Sequence, residues 1–131
     1  LTPNDLSVVA HLGYALERSG NPEKAAEVLT GLVATVPGSV TARELLAEAQ
    51  FKQGKRAEAL AVVREGLERK PDSPDLLRRL GSLLERSGHA AEAAAAYREY
   101  LRLAPQAGDA QAVAAKASSL ERGSPPAGGA L

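Results

Sequence analysis

Pro37, Pro71 and Pro105 stand 34 residues apart, and the triplets Gly20, Gly54, Gly88 and Ala25, Ala59, Ala93 keep that interval in phase with them. A fixed period of this length means that one small supersecondary unit is stacked on copies of itself. A unit of that size cannot bury its own apolar face, so the neighbouring copies supply the core. Such a stack carries function on an extended surface, not in a deep catalytic pocket.

Within each period the apolar spacing is helical. Val9, Leu12, Ala15 and Leu16 share one face and stop at Gly20, where a glycine just past a helix end is the expected C-cap. Asn21-Pro22 then offers an N-cap and a first-turn proline before Ala25, Val28, Leu29 and Leu32 lead to Pro37. The second period repeats this with Leu45, Leu46 and Ala49 before Gly54, then Ala59, Leu60, Val63 and Leu67 before Pro71. The third does so with Leu77, Leu80, Leu83 and Leu84 before Gly88, then Ala93, Tyr97, Tyr100 and Leu101 before Pro105. Ser73-Pro74 is a further cap and first-turn pair.

The units therefore run over 6–39, 40–73 and 74–107, with a seventh, half-polar helix expected within 108–122 to cap the stack. Residues 123–131, rich in Gly, Pro and Ala, read as a disordered tail. Pro3 lies one period before Pro37, so residues 1–5 read as the tail of a preceding repeat. The chain also begins at Leu1 without a methionine, which suggests a fragment of something longer or a processed product.

Composition supports helices and narrows the function. The 131 residues are 44% hydrophobic, with one Phe, three Tyr, no Trp and no Met, so the core is aliphatic and rich in alanine. Alanine is the best helix former and lets helix axes approach closely. Sixteen basic residues balance sixteen acidic ones, which lacks the electrostatic footprint of a nucleic-acid binder. No apolar run approaches the roughly 20 residues that span a bilayer, so membrane insertion is not expected. The absence of cysteine excludes a disulfide, a thiolate nucleophile and a cysteine zinc site, and leaves cytoplasm and periplasm both open. Arginine and alanine abundance suits a GC-rich bacterial genome.

Two helices per period, with small residues at the contact points, resemble the tetratricopeptide repeat family. The resemblance rests on Leu12, Leu46 and Leu80, on Gly13, Ala47 and Gly81 beside them, and on the glycine, alanine and proline triplets. It implies an all-α fold, a right-handed α-solenoid of three helix-turn-helix units with a C-terminal capping helix. Departures occur where the family favours an aromatic, since Val9, Arg43 and Leu77 stand there.

The resemblance also implies a concave groove lined by the first helix of each unit. The groove positions are Ser7, Ala10, Tyr14, Glu17 and Arg18, then Thr41, Glu44, Glu48, Phe51 and Lys52, then Asp75, Arg78, Ser82, Glu85 and Arg86. Tyr14 and Phe51 are the candidate anchors for a bound segment, against the plainer reading that both rings are half-buried between repeats. Arg18, Lys52 and Arg86 form a row of cations, although a cation in the last turn of a helix is favoured by the dipole without any ligand. Glu44 and Glu48 are a like-charged pair one turn apart that would welcome a basic contact, from Arg78 or a partner. Ser82 completes the partner-binding set with these residues.

Some family members clamp the C-terminal carboxylate of heat-shock chaperones with Lys, Asn and Arg side chains. The corresponding positions here are Ala10, Tyr14, Leu45, Asp75 and Arg79, and only Arg79 fits, so that activity is not expected. Catalytic readings are weaker. His11 and His89 fall on different repeats without metal-ligand spacing, no phosphate-binding glycine loop is present, and no serine sits in a nucleophile elbow. No cofactor or metal is expected. The sequence thus points to a module that binds a protein or peptide partner and is not an enzyme. The rival expectation is a structural spacer or self-association segment of a multidomain enzyme or secretion-type assembly, in which apolar surface on the terminal repeat would support a homodimer.

Overall fold

The computed structural model describes residues 3–123, all of its regular structure helical, in two compact units. The first, ending at Pro71, holds α1 (Pro3–Arg18), α2 (Pro22–Thr35), α3 (Val40–Lys52) and α4 (Arg56–Arg69). The second, from Asp72, holds α5 (Pro74–Arg86), α6 (Ala90–Leu103) and α7 (Ala110–Glu121). The tail expected over 123–131 lies, apart from Gly123, outside the described residues.

Each helix end has a chemical cause that can be read in the chain. Gly20, Gly54 and Gly88 take φ of 85°, 82° and 84°, a left-handed conformation that a side chain would strain. There the glycine's own amide and the one after it turn back onto the helix. Gly20 N donates to the Glu17 carbonyl at 3.1 Å and Asn21 N to the Leu16 carbonyl at 2.9 Å, and the same pair of bonds recurs at Gly54 and Gly88. Asn21, Ser39 and Ser73 cap the helices that follow by accepting from Lys24 N, Ala42 N and Leu76 N.

Residues 3–5 depart from expectation. They form the first turn of α1 and not the end of an earlier helix. A proline fits there because first-turn amides have no intrahelical partner to lose.

In the first unit α2 packs on α1 and α3, and α3 on α4. The buried core is Ala25, Leu29, Leu32, Ala42, Leu46 and Ala49, with Leu6, Ala10, Leu16 and Leu45 packed against it. In the second, α6 packs on both α5 and α7. Ala25, Ala59 and Ala93 are all fully buried, as close approach of paired helices requires. Val113 and Ala117 of α7 are buried while Gln111 and Lys116 are exposed, the half-polar pattern of a cap.

Leu12 behaves differently from its repeat equivalent Leu46. It is 49% exposed, and Val8 one turn earlier is 65% exposed. Among the described residues of the first unit α1 packs on α2 and α3 alone, so this face of the helix is open.

Candidate functional site

An open concavity of about 540 Å³ lies in the first unit, bordered by α1, the end of α2, the α2–α3 loop and the start of α3. That volume is in the range of ligand clefts. Leu6, Ala10, Leu32 and Leu45 belong to the core cluster and to the cavity wall at once, so the wall is fixed by core packing. Val36 and Ser39 come from the loop, and Ser7, His11, Tyr14 and Thr41 complete the lining. No carboxylate, ammonium or guanidinium lines it.

Four of the groove positions read from the sequence, Ser7, Ala10, Tyr14 and Thr41, therefore meet around one cavity. Tyr14 stands 49% exposed, with the Arg18 guanidinium 5.9 Å from its ring centre. His11 is held by its Nδ1, which donates to the Ser7 carbonyl at 2.7 Å.

Other candidates have protein partners. Lys52 pairs with Glu17, whose side chain is only 10% exposed, so the pair joins α3 to α1. Phe51 is half-buried, does not line the cavity, and carries the Arg56 guanidinium 5.5 Å from its ring centre. Glu44 and Glu48 are half-buried on α3, also outside the cavity lining. Near the other end of α1 a polar recess is lined by Gly20, Asn21, Pro22, Glu23, Lys52, Gln53 and Lys55, of mixed charge.

The second unit arranges its groove positions as a polar network. Tyr97 of α6 donates to Glu85 Oε1 at 2.9 Å, and Lys116 of α7 lies 3.6 Å from the same oxygen and 5.9 Å from the Tyr97 ring centre. Burial, and then the Glu85 carboxylate, pushes the Tyr97 phenol well above its usual range. Tyr100 donates to Asp109 Oδ1 at 2.5 Å, and this bond raises its phenol too. Arg78 reaches Asp109 at 3.9 Å, Ser82 is half-buried beside Tyr97, and Arg86 is exposed. On the α6–α7 face Arg98 grips both oxygens of Glu121, at 2.7 and 3.0 Å, which lowers that carboxyl.

Sequence reasoning missed Leu6, His11, Leu32, Val36, Ser39 and Leu45 as cavity residues. The groove register covers first helices only, whereas Leu32, Val36 and Ser39 come from the second helix and the linker.

The sequence model of the tetratricopeptide repeat matches twice, over residues 16–84 and 50–118. The chain belongs to the tetratricopeptide repeat family. No curated protein matches it. Solved structures resemble it over most of the chain. The Yersinia enterocolitica type III secretion translocator chaperone SycD is 16% identical, with a TM-score of 0.80 over 94% of this chain and 88% of its own. PcrH from Pseudomonas aeruginosa is 17% identical, with a TM-score of 0.77 over 94% and 93%. The first repeat domain of Spaghetti (RPAP3), bound to the HSP90 peptide SRMEEVD, is 19% identical, with a TM-score of 0.76 over 93% and 97%. At these identities the likeness shows the fold, an all-α solenoid of helical repeats.

Proposed function

We propose that this tetratricopeptide repeat chain is a protein-interaction module, not an enzyme, and that it holds an apolar stretch of a peptide or partner helix in the α1–α3 cavity. The single observation that carries this is the cavity itself, a core-braced apolar recess without a charged side chain in its lining and with Tyr14 exposed at its edge. Burying one Leu or Phe side chain in such a recess contributes about 1.5 to 3 kcal/mol, enough for an anchor though not for a whole complex. Proteins of similar fold have been solved with peptide segments bound. SycD has been solved with a peptide of the translocator YopD, and PcrH with the chaperone-binding region of PopB.

The same lining favours an internal segment over a chain terminus. Ala10, Tyr14 and Leu45 stand where carboxylate-clamping relatives need polar or cationic side chains, and a carboxylate placed there would lose water without gaining a cation. Selection of a displayed random-peptide library on the chain tests this. Enrichment of an aliphatic or aromatic anchor, indifferent to amidation of the peptide's C-terminus, supports the proposal, and enrichment of acidic C-termini contradicts it.

One observation favours a second reading, a spacer or self-association segment. Val8 and Leu12 leave an apolar strip open on α1, and SycD has been solved in an alternative dimer. Light scattering across a concentration series tests it, since Leu12→Gln would abolish any dimer built on that strip.

A further inference from the structure

Arg43 stands at the α3 position whose repeat equivalents are Val9 and Leu77, and it is as buried as an apolar residue, 4% exposed. A guanidinium is costly in that place unless its donors are satisfied. Its Nε donates to the Pro37 carbonyl and its Nη1 to the Val62 carbonyl, both at 2.8 Å, with Glu65 Oε2 at 3.6 Å from Nη1. Pro37 lies in the α2–α3 loop and Val62 in α4, so one planar side chain ties the loop to a helix outside the cavity.

The tied loop is the one that lines the cavity. Val36 and Ser39 flank the held segment, with Gly38 between Pro37 and Ser39. The loop's own restraints are local, a turn bond from Ser39 N to the Val36 carbonyl at 3.0 Å and the Ser39 cap of α3. We infer that Arg43 is a positioning residue for the binding cavity: by holding Pro37 against α4 it keeps Val36 and Ser39 where a ligand side chain meets them. This rests on the cavity being the binding site.

Arg43→Leu separates positioning from folding. Leucine is the side chain of the equivalent Leu77 and keeps the buried position apolar, although it leaves the Pro37 and Val62 carbonyls without the Arg43 donors. The thermal midpoint should therefore fall modestly with the fold retained, while exchange of the Ser39 amide quickens. If the closed wall is then populated about a tenth of the time, a display-selected peptide binds about tenfold more weakly. Arg43→Lys, which offers one nitrogen to two carbonyls, should fall between the two. Unchanged Ser39 exchange in Arg43→Leu overturns the inference, and so does faster exchange with unchanged affinity. Thr41→Arg, an exposed change within the cavity, serves as the control: affinity lost there but kept in Arg43→Leu overturns the positioning role with the cavity reading intact, whereas affinity kept in both overturns the cavity reading and the inference with it.

Discussion

Gly81 of α5 lies so close to the Tyr97 ring of α6 that a methyl group on its α-carbon would stand 2.6 Å from Tyr97 Cε1. Gly13 has the same relation to Leu29, at 2.6 Å from Cδ2. The second repeat places Ala47 and Val63 in these two register positions, both fully buried. Glycine is thus found opposite the larger partner and alanine opposite the smaller one.

Gly81→Ala should destabilise the second unit by about 1 to 3 kcal/mol, because a rigid ring held by Glu85 cannot shift aside. Gly13→Ala should also destabilise, and Gly13→Ala with Leu29→Val, which copies the second repeat, should recover part of the loss. Thermal melts check all three. No recovery in the double variant would mean that the two positions are not size-coupled.

Lys52→Ala should destabilise by about 1 to 3 kcal/mol, because it leaves the largely buried Glu17 carboxylate without its cation. Lys52→Ala combined with Glu17→Gln should cost less than the sum of the two single changes. Strict additivity in this double-mutant cycle would remove the pair as a link between α3 and α1.

Much of this was legible in the chain, and the boundary has a physical cause. Glycine caps, Ser and Asn caps and the buried alanines act locally or by a repeated register, so spacing alone reveals them. Arg43 is the counterexample. Its side chain reads as a departure from an aromatic position, yet it is buried because the carbonyls of Pro37 in the preceding loop and of Val62 in the next helix meet its donors. Phe51 and Lys52 read as groove residues by register, but Arg56 and Glu17 engage them within the fold. Which polar groups pair off is a tertiary matter that no period encodes.

Tyr97 and Tyr100 should ionise above the ordinary tyrosine range of about 10 in the folded protein, and near it in urea. Raised phenols contribute stability that is complete below the unfolded value and is lost as pH climbs through the folded ones. The second unit should therefore weaken progressively above about pH 10. Tyrosinate absorbance during alkaline titration checks this, and ionisation of all three tyrosines together near the ordinary value would contradict it.

Ser73→Ala should cost about 1 kcal/mol, since it removes the acceptor of the Leu76 amide at the start of α5. A thermal midpoint equal to that of the unaltered chain would show that this amide finds another acceptor.

The α1–α3 cavity as the partner site is tested most directly by calorimetric titration of a display-selected peptide into the unaltered chain, Tyr14→Ala and Thr41→Arg. Both substitutions are at exposed positions, so the fold should persist. Tyr14→Ala should weaken binding by about 1 to 2 kcal/mol, and Thr41→Arg should abolish it by placing an unpaired cation in an apolar recess. Full affinity in both variants would contradict the assignment of partner binding to this cavity.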